Sequence, residues 1–139
     1  MANPLAFISF DLGHDENERE QFCDQLTNSR TAFSVDDWSA TLGTAGSDRE
    51  KAVQGRIGRC DLMIILVGKK MGSSANVATE IQLAKKTNVP FLGVLVGGAD
   101  ESSDLPVGLA ANRAIPLDWV RIASAVDQLM GEGKHHKFT

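Results

Sequence analysis

The sequence is poor in the residues that mark the commonest kinds of site. It has two cysteines in 139 residues, Cys23 and Cys60, far apart and in no C-x-x-C pair. A disulfide framework is unsupported, and buried thiols in a reducing compartment are the expectation. It has three histidines, His14 and the pair His135–His136, and no Cys/His/Asp cluster at metal-ligand spacing. No metal is therefore expected. Basic residues are outnumbered, 14 Lys and Arg against 18 Asp and Glu, for a formal net charge of -4. A general nucleic-acid binder carries a basic face, so nucleic acid is not an expected partner. No apolar run approaches the roughly 18 residues that span a bilayer. The opening "MANPLAFISF" has no basic n-region and no cleavage site. No membrane partner and no signal peptide are expected, and the expected location is the cytoplasm.

Motifs are missing as well. No G-x-G-x-x-G follows the first apolar run, which reads "FISFDLGHDE", so a Rossmann-type dinucleotide fold is unsupported. There is no G-x-x-x-x-G-K-[ST] phosphate loop and no G-x-S-x-G nucleophile elbow. A phospho-receiver domain needs an aspartate at the end of its third strand, where this chain reads "ILVGKK".

What is present is an alternation of strands and helices. "LAFISF" (5–10), "TAFSV" (31–35), "DLMIILV" (61–67), "FLGVLVG" (91–97) and part of "NRAIPL" read as strands. Two of them, 61–67 and 91–97, are apolar on both faces, as central parallel strands require. Between them lie helices carrying Arg19, Phe22, Cys23 and Leu26, then Val53 and Ile57, then Val77, Ile81 and Ala84. Ser47 and Glu50 have the spacing of a capping box, and Asp118 is placed to cap a last helix with Ile122, Val126 and Leu129 inward. The segment 36–46 has two glycines and no periodicity, and is expected to be a mobile loop that controls access or assembly.

The order β-α-β-α-β-α-β-loop-β-α predicts a single α/β domain over 1–139, with its core in 5–130 and a frayed tail at 131–139. The predicted fold is a flavodoxin-like three-layer sandwich with a parallel sheet of about five strands and helices on both faces. Ligands of such sheets bind at the carboxyl ends of the strands. The third helix begins there. On it Ser73, Asn76 and Glu80 lie at 0, +3 and +7, on a face offset by about 100° from the Val77–Ile81–Ala84 stripe. Periodicity leaves two readings open. Either these groups border a crevice, or a serine caps the helix and Glu80 is solvated on its exposed side.

The chain resembles a TIR domain, of the TIR-like group that forms the sensor subunit of bacterial Thoeris anti-phage systems. The resemblance rests on "FISF" and its acidic loop, "FSVDDWS", "CDLMIILVG", "SSANVATEIQLAKKTNVPFLGVLVG" and "IPLDWVRIASAVDQL". It implies cleavage of NAD+ with release of nicotinamide, to give a (cyclic) ADP-ribose-type signalling nucleotide. NAD+ is then the substrate and no cofactor is implied. The family's catalytic carboxylate corresponds to Glu80 and its helix-opening serine to Ser74 or Ser73. The candidate substrate-binding residues are Ser9, Phe10 and Asp11 at the end of the first strand, Trp38, Gly68, Ser73, Ser74 and Asn76. This chain has Asn76 and Thr79 where many members carry bulky or aromatic residues, so Trp38 or Phe10 is the aromatic available for stacking. Self-association is implied, and a separate effector protein would respond to the product. Two other readings stay open: a TIR module that signals by assembly without catalysis, and a nucleoside deoxyribosyltransferase-like enzyme.

Overall fold

A computed structural model describes residues 5–10, 16–28, 34–35, 46–68, 75–99, 105, 108–109 and 114–132. In chain order these form β1 (Leu5–Ser9), α1 (Glu16–Asn28), β2 (Ser34–Val35), α2 (Gly46–Arg59), β3 (Leu62–Val67), α3 (Ala75–Lys86), β4 (Phe91–Leu95), β5 (Ala114–Pro116) and α4 (Trp119–Glu132). The strands make one sheet in the order β2-β1-β3-β4-β5, and every pairing is parallel. This is the flavodoxin-like strand order.

The central position of β3 follows from its sequence. All six residues of Leu62–Val67 are buried, which a strand covered by helices on both faces demands. β1 and β4 flank it and are nearly as apolar. The two edges are short. β2 has two described residues, and β5 has three and ends in Pro116, a residue that an edge strand tolerates. Gly93 gives β4 one bare position. A Cβ there would lie 2.8 Å from Leu109 Cδ2, so the missing side chain makes room for the buried Leu109.

α2, α3 and α4 bury the stripes that their periodicity predicts, whereas α1 buries only Phe22 of its expected four and leaves Arg19, Cys23 and Leu26 half-buried. Phe22 of α1, Val53 and Ile57 of α2, Val77, Ile81 and Ala84 of α3, and Ile122, Val126 and Leu129 of α4 all join the core. Right-handed crossovers put α1 on the sheet face opposite α2 and α3, because the step from β1 to β2 runs against the later steps. α2 packs beside α3. α1 is tied to α4, with the Phe22 and Trp119 rings 5.0 Å apart and Trp119 Nε1 donating to Gln25 Oε1 at 3.0 Å.

Helix ends show their local causes. Asp118 Oδ1 accepts from the Val120 N–H at 3.0 Å, so the predicted cap opens α4. α3 ends in a Schellman turn. Asn88 takes the left-handed conformation (φ 58°), Val89 N–H donates to the Ala84 carbonyl at 2.9 Å and Asn88 N–H to that of Lys85 at 3.2 Å.

Several boundaries differ from expectation. α2 already includes Gly46, so Ser47 lies in its first turn rather than before it. β3 begins at Leu62 and leaves Asp61 outside, while β4 stops at Leu95, before Gly97 and Gly98 turn with φ of 60° and 81°. Cys60 is buried, but Cys23 is half-buried. α4 runs on to Glu132, so Gly131 and Glu132, expected in the frayed tail, are helical. Residues 31–33, most of the loop 36–46, His14 and the rest of that tail, 133–139, lie outside the described residues.

Candidate active site

The strand order reverses between β1 and β3. The chain leaves β1 toward β2 on one side and leaves β3 toward β4 on the other. In open parallel sheets the carboxyl ends at this switch point form the ligand crevice. Ser9 closes β1 there, in register with Ile65 of β3. Gly68, buried, follows β3 directly.

α3 departs from the same edge and brings Glu80 back over it. Glu80 stands about a turn and a half into the helix. Its side chain is 1% exposed, and Ser9 is 0% exposed. The Ser9 hydroxyl donates to Glu80 Oε1 at 2.8 Å, across 71 positions of sequence. Among the described residues, these are the two buried side chains that are polar or charged. A carboxylate buried among hydrocarbon carries a desolvation cost, which hydrogen bonds must offset.

This burial overturns the solvated reading of Glu80 and the placement of Glu80 on a face apart from the apolar stripe. Glu80 is neither solvated nor on a face of its own. At about 100° per residue it lies about 60° from Val77 around the helix, between Leu83 and Ala84. Leu83 is 5% exposed and Ala84 is 0% exposed. The expected stripe of Val77, Ile81 and Ala84 omits Leu83. Once Leu83 is included the buried face widens, and Glu80 falls inside it.

The other expected site residues divide in two. Phe10 is described and belongs to the core, 3% exposed, so its ring is packed rather than open. Asp11, Trp38, Ser73 and Ser74 lie outside the described residues, and Asn76 occupies the first turn of α3 with its side chain outside them. One acid at this edge escaped the sequence reading. Glu18 of α1 packs against the turn after β4, where a Cβ on Gly97 would sit 3.1 Å from Glu18 Oε1. Its place in the first turn of α1 was the available signal.

Cys23 shows no sign of a reactive thiolate. Burial raises its thiol above the ordinary range, Arg19 opposes that shift and Asp24 adds to it. Among the described residues no group of His, Cys, Asp and Glu is arranged to hold a metal ion, and no helix is long and apolar enough to cross a membrane.

The fold and this edge can be set beside known proteins. A prokaryotic SEFIR domain superposes with a TM-score of 0.57 at 18% identity, covering 91% of this chain and 89% of that one. Translation elongation factor SelB from Methanococcus maripaludis, in complex with a GTP analogue, gives a TM-score of 0.59 at 12% identity. That match covers 96% of this chain and 35% of that one, and it reflects the shared α/β fold alone. The TIR domains of an activated Roq1 resistosome align at 18% identity over 71% of this chain and 60% of that one, with a TM-score of 0.47. No curated protein sequence matches. The sequence model of the TIR domain family matches residues 7–130, which run from β1 through most of α4. With nearly the whole chain matched, the protein belongs to the TIR domain family.

Proposed function

We propose that this TIR domain cleaves the nicotinamide N-glycosidic bond of NAD+, with Glu80 as the catalytic carboxylate. The observation that carries the reading is a buried acid at the switch-point edge that the core does not need. An apolar residue at position 80 would match Val77, Ile81 and Ala84, so a glutamate there opposes stability, and such conflicts concentrate at functional sites.

The chemistry suits a single acid. Nicotinamide is cationic in NAD+ and departs as a neutral molecule with the electron pair of the C1′–N bond, so no general acid is required. The ribose left behind is oxocarbenium-like. An ionised Glu80 beside it stabilises that charge and accepts hydrogen bonds from the ribose hydroxyls. Water, or a nucleophile of the same nucleotide, then attacks C1′ and gives linear or cyclic ADP-ribose. In the Thoeris-type members that the sequence resembles, such a product is an anti-phage signal, and we assign this chain the same role.

Glu80 is 1% exposed, so turnover requires that it be uncovered. The test is therefore made at high protein concentration, where self-association is favoured. Concentrated protein is incubated with NAD+ and the products are separated by chromatography. Nicotinamide should appear with an equal amount of an ADP-ribose product, and Glu80→Gln should release it at least about 10²-fold more slowly. If NAD+ stays intact while the protein sediments as an assembly, the domain is a non-catalytic assembly module. If nucleosides are cleaved and NAD+ is not, it is a deoxyribosyltransferase-like enzyme.

A further inference from the structure

We infer that Ser9 is a positioning residue for Glu80 rather than a contact to the substrate. The inference rests on the reading of Glu80 as the catalytic carboxylate. Ser9 is 0% exposed, and its hydroxyl donates to Glu80 Oε1 at 2.8 Å. A serine hydroxyl has one proton to donate, and here it is committed to the carboxylate.

The placement of the donor matters as much as the bond. Ser9 sits on a strand, not on a loop. It is the last residue of β1, paired with Ile65 in the all-buried β3, and β3 is paired in turn with β4. Its Cα is therefore held by the ladder of the central buried strands. Glu80 reaches the edge on a side chain with three rotatable bonds. Val77, Ile81 and Ala84 hold its helix against the sheet, but they cannot choose its rotamer. The bond from Ser9 holds one oxygen of the Glu80 carboxylate at the end of β1. It ties the end of a flexible acid to the sheet and orients the carboxylate before substrate arrives. Preorganisation of this kind lowers the barrier without adding ground-state affinity. Ser9 therefore belongs to kcat rather than to KM.

The experiment compares the full chain with Ser9→Ala, Ser9→Cys and Ser9→Thr, in NAD+ kinetics and in crystal structures. Displacement of a reacting group by around 1 Å costs about 10- to 100-fold in rate. Ser9→Ala should lose kcat by that factor, with KM within about threefold of wild type. Ser9→Thr restores a hydroxyl on a residue that strands accept, and should recover most of the loss. Ser9→Cys, with a weak donor of similar shape, should fall between. In the crystal structures the Glu80 carboxylate should be displaced in Ser9→Ala and held in Ser9→Thr. Unchanged kcat in Ser9→Ala overturns the inference, and so does a loss carried in KM, which would make Ser9 a substrate contact. If the wild-type chain consumes no NAD+, the proposed reaction fails separately. The crystal structures then decide the positioning alone, and Glu80 unmoved in Ser9→Ala would refute it.

Discussion

At its amino end, β1 is fastened by an acid: the Leu5 N–H donates to Asp61 Oδ2 at 2.8 Å, and the Asp61 N–H donates to the Leu5 carbonyl at 2.7 Å. At its carboxyl end the same strand meets a second acid, through Ser9 and Glu80. The two carboxyl groups differ in surroundings. Asp61 is half-buried at the amino end of the sheet, and its carboxylate accepts from one backbone N–H, that of Leu5. Glu80 is enclosed by core residues and bonded to a side chain that is itself enclosed. Removing the first acid takes away a fastening. Removing the second takes away an electrostatic group that the packing does not require. An acid that closes a strand edge accounts for its own presence in the fold, whereas an enclosed acid calls for a chemical reason.

The largest expected effect separates the two ends most sharply. Glu80→Gln keeps the volume and removes the charge. NAD+ turnover should fall by about 10²-fold or more, as it does when a preorganised electrostatic group is lost. The melting temperature should stay near that of wild type, because the volume is kept and an oxygen remains to accept from Ser9. A variant that turns over normally would return Glu80 to the structural class of Asp61.

Asp61→Ala should give the opposite signature. Loss of an acceptor for a part-buried backbone N–H is expected to cost about 1–2 kcal/mol of stability, read by urea unfolding. Turnover per folded molecule should stay at the wild-type value. Asp61→Asn keeps an acceptor oxygen and should recover much of the stability. A selective fall in turnover would show that the two ends of β1 are coupled through the strand.

Asp118→Ala probes a third acid, at the start of α4. Its loss removes the cap of α4 and should destabilise by about 1 kcal/mol, with catalysis intact. The smallest effect is expected at Asn88→Gly. Glycine accepts the left-handed conformation at no steric penalty but adds freedom to the unfolded chain. A change within about 0.5 kcal/mol, measured in the same unfolding experiment, would mark the Schellman turn as a conformational requirement rather than a side-chain one.

Much of this fold was legible because its signals are local. The runs 61–67 and 91–97 announce central strands, and Asp118 announces a helix start two residues from the N–H that it caps. Glu80 was legible as a candidate through the family resemblance. Its burial was not. Leu83 was left out of the helical stripe, and nothing local in the sequence reports that a serine 71 positions earlier faces it. The pairing of Trp119 with Phe22 and Gln25 escaped for the same reason. Periodicity states which way a side chain points on its own element. It does not state what another element places opposite.

The sequence distance between Ser9 and Glu80 also sets when the site comes into being. β1 pairs with β3, more than fifty residues downstream, and contacts that close long loops form slowly. During synthesis, β1 emerges first and has no partner for Ser9 until β3 and α3 have followed. No shorter amino-terminal fragment contains the acid at all. On the proposed reading of Glu80 as the catalytic carboxylate, activity is withheld until the central sheet has closed, because a nascent or half-folded chain has no Ser9–Glu80 pair.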